Sequence, residues 1–167
     1  MNNPEIYIFN KDITFETVDE FSESRPDVPY ILYFSTEGGN TNASILLARI
    51  LMDDPNLVSV IACGHVFSGG VLVFALLGGK KKRYALPTTT FLIHKMELNF
   101  EGFQANIRDT EKFLKSFKSL EDKVIDLFVK NTNLTPEQYK KLIERGDFYF
   151  DVETALNWGY IDEILEV

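Results

Sequence analysis

Apolar runs that read as strands alternate with segments whose apolar residues return at helical spacing, and the alternation occurs three times before residue 78. Residues 6–8 have strand character, and Phe15, Val18 and Phe21 then recur on one helical face up to the break at Pro26 and Pro29. Residues 30–34 form an apolar and aromatic run closed by Gly38 and Gly39, after which Ile45, Leu46, Ile50 and Leu51 mark a second helix. Residues 57–62 read as a buried strand, Gly64 opens a turn, and residues 69–77 are apolar enough for a helix enclosed on most sides. Parallel strands need a crossover long enough to bring the chain back, so this order predicts a largely parallel sheet with helices packed on it.

The later chain continues the pattern with longer pieces. Residues 83–86 and 90–94 predict two strands around Pro87. Residues 102–131 lack proline and place Phe103, Ile107, Leu114, Phe117, Leu120, Val124 and Phe128 at helix-like intervals. One long helix is expected, of a length that projects from its domain or packs on another subunit. Thr135, Pro136 and Gln138 supply an N-cap, a first-turn proline and a capping-box partner for a helix ending at Gly146. A last helix over residues 152–158 stops at Gly159. With no repeat, linker or low-complexity segment, the expectation is a single α/β domain over residues 1–167.

Composition narrows the function classes. A formal charge of −8 disfavours nucleic acid, whose binding needs a basic surface that releases counterions. The one basic run, residues 80–83, is expected to be a solvated loop. The longest mostly apolar run, residues 66–79, is too short and too glycine-broken to span a bilayer. A lone cysteine, Cys63, cannot pair within the chain. A soluble protein of a reducing compartment, the cytoplasm, fits these features.

Two glycine turns at strand-to-helix junctions, Gly38-Gly39 and the Gly64 to Gly70 segment, can present backbone N–H groups at a helix start. Such groups hold phosphate or the oxyanion of acyl transfer. Neither turn continues into Gly-Lys-Ser or Gly-Lys-Thr, the phosphate-loop ending. The second carries Ser68 at the sharp entry to a helix, where a hydroxyl is either exposed as a nucleophile or spent as an N-cap. A nucleophilic serine needs a base, and only His65 and His94 are available. His65 leaves the same turn as Ser68, whereas His94 ends a predicted strand. Acidic partners for the histidine are too numerous to separate on these grounds alone.

Taken in order, the segments resemble the caseinolytic protease family ClpP, barrel-forming serine peptidases driven by ATP-dependent unfoldases. Residues 31–39, ending Ser35-Thr36-Glu37-Gly38-Gly39, are similar to the family's strand and Ser-Pro-Gly-Gly turn, with Glu37 in place of proline. Cys63-Gly64-His65-Val66-Phe67-Ser68-Gly69-Gly70 resembles its nucleophile segment, with Val66, Phe67 and Gly69 departing from the common pattern. Residues 78–94 resemble the stretch that brings in the catalytic histidine, and Glu101-Gly102-Phe103-Gln104-Ala105 the start of the handle helix that stacks two rings. Asp147, followed by Glu153-Thr154-Ala155 and Gly159-Tyr160-Ile161-Asp162, stands where the family keeps its catalytic aspartate.

The resemblance implies a ClpP/crotonase-type fold and a serine endopeptidase acting on short or unfolded polypeptides without a metal or cofactor. It assigns Ser68 as nucleophile, His94 as base and Asp147 as the residue orienting it, with Gly39 and Gly69 donating N–H groups to the oxyanion. Asp151 is the rival for the third role, but it also fits the N-cap of the last helix. A homo-oligomeric ring is implied, and an AAA+ unfoldase as partner, although little chain precedes the resemblance to form axial loops. Residues 95–98 replace the family's Gln-Pro and glycine-rich strand, and Phe148 stands where an arginine often follows the aspartate. Two other classes stay open: an inactive structural subunit, and a crotonase-type acyl-CoA enzyme that needs no serine. A serine–lysine peptidase using Lys80, Lys81 or Lys82 is the remaining alternative.

Overall fold

The computed structural model describes residues 3–97 and 107–166. It is a mixed α/β fold with a largely parallel sheet. Strand β1 (Glu5–Asn10) leads to helix α1 (Phe15–Ser24), β2 (Tyr30–Thr36) to α2 (Thr41–Asp53), and β3 (Leu57–Phe67) to α3 (Gly69–Leu76). Then come β4 (Lys82–Ala85), β5 (Thr90–Ile93), α4 (Ile107–Lys130), α5 (Pro136–Ile143), β6 (Phe148–Phe150), α6 (Val152–Asn157) and β7 (Glu163–Ile164).

Local chemistry sets the helix starts. Thr14 and Thr17 form a reciprocal capping box on α1, Asn40 accepts from the Asn42 and Ala43 N–H groups to start α2, and Thr135 with Gln138 caps α5 as the sequence predicts. The long helix is present from Ile107 onward; its expected start, the motif at residues 101–105 and Leu98 lie outside the described residues. Among the described residues no helix is long and apolar enough to cross a membrane.

The main sheet runs in the order β1-β2-β3-β4-β7, all parallel. Strand β3 has two successive neighbours on one edge. Its first half, from Ser59 to Ala62, pairs with β4, while its last three residues, His65 to Phe67, pair with Thr90 to Leu92 of β5. Strand β6 then adds antiparallel to β5, the one antiparallel pairing among the described strands. Neither β6 nor β7 was expected. Both are very short and are held by pairing rather than by a pattern of their own.

Interlocked aromatic rings fill the space between sheet and helices. Phe74 of α3 lies against Phe34, Phe91 and Tyr160, and Phe91 stacks on Phe150. Tyr160 is fully buried and its hydroxyl donates to the Val71 carbonyl at 2.6 Å, which meets the requirement that a buried polar group be bonded.

The basic run at residues 80–83 corrects the expectation of a solvated loop. Lys81 donates to the Asp54 and Leu57 carbonyls, and Arg83 is buried. The Arg83 guanidinium donates to the Phe74 and Gly159 carbonyls and to Asp162 Oδ1 at 2.9 Å, and the Arg83 N–H donates to Asp162 Oδ2. Burial raises the pKa of the Asp162 carboxyl, but the hydrogen bonds and charge of Arg83 outweigh it and leave the group below the usual value. A carboxyl depressed in the folded state contributes stability above its unfolded pKa and loses it as pH falls through the folded one. Asp162→Asn is therefore expected to cost about 2 kcal/mol near neutral pH, less than for a fully buried pair because the carboxylate is partly exposed. Urea unfolding should show that difference shrinking below about pH 4.

Candidate active site

The neighbour switch of β3 builds the site. Phe67, the last residue of β3, is paired with Leu92, so the chains leaving β3 and β5 emerge side by side as Ser68 and His94. The Ser68 N–H donates to the Leu92 carbonyl at 2.9 Å and fixes the first residue beyond the strand. There the backbone reverses into α3, with Ser68 at φ 51° and ψ −115°. Among the described residues it is the only non-glycine at positive φ. Such a conformation costs about 1–3 kcal/mol and persists where the surroundings over-determine it, commonly at functional sites.

The Ser68 hydroxyl makes no capping bond to α3, so the N-cap alternative is not what the residue does. Its Oγ lies 2.7 Å from His94 Nε2, within hydrogen-bond reach of a nucleophile and its base. Both side chains are half-buried. The His65 ring turns away and bonds to Glu37, leaving His94 as the histidine at the serine.

Asp147 is brought near but not joined. Strands β5 and β6 pair Ile93 with Phe148, and one further antiparallel step sets His94 opposite Asp147. Asp147 is exposed, and among the described residues no hydrogen bond links it to His94. Its rival Asp151 accepts from the Thr154 N–H at 2.9 Å and is the N-cap of α6. That bond and the Thr154 hydroxyl hold the Asp151 carboxyl below its ordinary pKa.

The turn at residues 37–40 lies directly against the serine. A Cβ on Gly38 would come within 2.6 Å of Ser68 Cβ and 3.0 Å of the Gly69 nitrogen, so only glycine permits this approach. The sequence marks Gly38-Gly39 as an N–H-presenting turn, but the close approach of Gly38 to Ser68 arises only in the fold. The Gly38 N–H is spent on Thr36 Oγ1 at 3.0 Å, whereas Gly39 and Gly69 donate to no other backbone group among the described residues. Gly69 is also packed tightly, since a Cβ there would meet Ser44 Oγ of α2 at 2.4 Å.

A cavity of about 860 Å3 opens beside Ser68 and His94. Val71 and Leu72 of α3 and Phe117, Leu120 and Val124 of α4 give it an apolar wall, while Asn40, Lys95 and Glu97 supply polar groups. Two lysines of the serine–lysine alternative are elsewhere: Lys81 is bonded to the Leu57 carbonyl and Lys82 is paired with Ser59, both toward the start of β3.

Fold and site together define an α/β protein that presents a histidine-bonded serine at a strand-to-helix elbow, facing a cleft. The sequence profile of the Clp protease family matches residues 18–167, and the chain belongs to that family. It is 32% identical over 142 residues to an ATP-dependent Clp protease proteolytic subunit of Deinococcus radiodurans, an alignment covering 84% of this chain and 67% of the relative. It is 27% identical over 139 residues to proteolytic subunit 2 of the same kind from Pseudomonas aeruginosa, covering 83% and 67%. A ClpP1 point mutant from Listeria monocytogenes superposes with a TM-score of 0.78 over 98% of this chain and 92% of that one, at 22% identity, which establishes the fold. The relatives support a ClpP-like peptidase.

The strain at Ser68 is directly measurable. Ser68→Gly should stabilise the protein by about 1 kcal/mol over Ser68→Ala in denaturant unfolding, because glycine adopts positive φ without the Cβ penalty. Equal stabilities for the two variants would mean that the elbow is unstrained.

Proposed function

We propose that this chain is the proteolytic subunit of a ClpP-like serine endopeptidase, a reading carried by the 2.7 Å contact between Ser68 Oγ and His94 Nε2 at a strained elbow. In this mechanism the Ser68 hydroxyl proton passes to His94 Nε2 as Oγ bonds to the scissile carbonyl carbon. The carbonyl oxygen gains the displaced electron pair and is held by the Gly39 and Gly69 N–H groups. Collapse breaks the C–N bond, and the amine leaves with the proton from His94. Water then gives a proton to His94, attacks the acyl-enzyme and releases the acid, returning the proton to Ser68.

Asp147 completes the triad by accepting from His94 Nδ1–H, a bond requiring the exposed carboxylate to turn inward across the β5–β6 step. The apolar wall of the cleft, from α3 and α4, favours an extended, unfolded peptide with an apolar side chain next to the scissile bond. Assembly into a homo-oligomeric ring served by an AAA+ unfoldase, in the cytoplasm, fits relatives described as ATP-dependent proteolytic subunits. No metal or cofactor is called for.

Intact-mass analysis after fluorophosphonate treatment tests the reading. The expected result is one adduct on the wild type and none on Ser68→Ala or His94→Ala. Absence of a wild-type adduct would favour a non-catalytic subunit, the second reading, whose supporting observation is that Asp147 does not reach His94. Peptide cleavage surviving unchanged in Ser68→Ala would mean that the nucleophile lies elsewhere.

The two aspartates separate by different measurements. Asp147→Ala is expected to lower kcat by on the order of 1,000-fold, as when a histidine loses its orienting carboxylate. Asp151→Ala should keep most of the activity and lose about 1 kcal/mol of stability with its cap. Equal losses of activity would remove the assignment of Asp147.

A further inference from the structure

The β2–β3 ladder fails beside the catalytic turn. Phe34 is paired with Ala62, but Thr36 is paired with Val66, so two steps along β2 correspond to four along β3. The intervening residues, Cys63 to His65, bulge out, with Gly64 at φ 73°. Backbone pairing thus skips Cys63 to His65 and resumes only at Thr36 and Val66, just before the Gly38-Gly39 turn and Ser68.

Side chains bridge the interruption, and His65 receives them. Ser35 Oγ donates to the His65 carbonyl at 3.1 Å, and Glu37 Oε1 lies 2.8 Å from His65 Nε2. The other ties of the turn run away from the nucleophile: Thr36 Oγ1 to the Lys11 carbonyl, the Ile13 N–H to the Gly38 carbonyl, and the Asn40 N–H to the Ile13 carbonyl. Among the described residues, the Glu37–His65 pair is therefore the polar tie from the turn itself to the strand bearing Ser68.

We propose that Glu37 and His65 are positioning residues, a clasp that sets the spacing between the Gly38-Gly39 turn and Ser68. The catalytic consequence rests on the peptidase reading above; the clasp itself does not. The His65 ring contacts Glu37 and Phe67. Glu37 comes from the turn, the Phe67 ring lies 5.1 Å away on its own strand, and Tyr149 of β6 meets the ring of Phe67. Thr90 of β5, paired with His65, brings no charge.

The pair is 40% and 64% exposed, so its effect is small: a change on the order of threefold is what an exposed ion pair supports. Two measurements test the clasp. In hydrogen–deuterium exchange at fixed pH, Glu37→Gln and His65→Gln should each speed exchange in the peptide covering residues 36–40, and the double variant should add nothing further. Unchanged exchange in both single variants, or additive effects, would overturn the clasp. In fluorophosphonate labelling at one pH, Glu37→Gln and His65→Gln should each slow the reaction about threefold, and the double variant should slow it no further. Wild-type labelling rates in both single variants, or additive losses in the double variant, would overturn the positioning role. A wild type that never labels would sink the peptidase reading instead, while the exchange measurement would still decide the clasp.

Discussion

The hydrogen bond from the Ser68 N–H to the Leu92 carbonyl is the joint on which the site is built. It carries the β3–β5 pairing one residue past the end of β3, and so forces the turn into α3 to begin beside the end of β5. Ser68 and His94 meet because two strand ends are in register, with no long loop needed to place either side chain. A site set on strand ends inherits the stiffness of the sheet, which is the usual requirement for groups that must stay within a few tenths of an ångström of a productive geometry.

The same geometry explains why one partner is engaged and another is not. His94 lies one residue beyond β5 and is held by the strand that precedes it. Asp147 lies one residue before β6, a strand of three residues attached only to β5 among the described strands. Its chain arrives from the turn after α5, where residues 144–147 are all exposed. The nucleophile and base leave buried strand ends, Val66 on one side and Phe91 to Ile93 on the other, whereas the third group sits at the margin of the sheet.

The large elements were legible because their signals are local. The strand runs at residues 30–34 and 57–62, the all-apolar α3, and the Thr135-Pro136-Gln138 cap each state their structure within a few residues. Ser68 and His94 were legible only in combination, since each alone had an ordinary structural explanation. What was hidden depends on long-range pairing. Arg83 looked like part of a basic loop because Asp162, its partner, lies 79 residues away. Gly38 read as one glycine of a doublet until Ser68, 30 positions on, was seen to pack against it. The Glu37–His65 pair likewise depends on a bulge in β3 that residue type does not announce.

Magnitudes show why the elbow can hold its strained serine. The positive φ of Ser68 costs about 1–3 kcal/mol. The helix it introduces is buried from Gly69 through Ala75, including Val71, Leu72, Val73 and Phe74. Each such apolar side chain contributes about 1.5–3 kcal/mol when removed from water, even before the aromatic contacts of Phe74 are considered. A relaxed elbow would aim α3 differently and give up several of those contacts together, so the sheet and helix impose the conformation on the serine. Gly69 and Gly70 belong to the same economy of space. A Cβ on Gly69 would strike Ser44, and one on Gly70 would come within 2.3 Å of Thr36 Cγ2. The helix can pack this close to α2 and β2 only with its first turn bare, and that close packing is what drives the chain through the strained residue at its head.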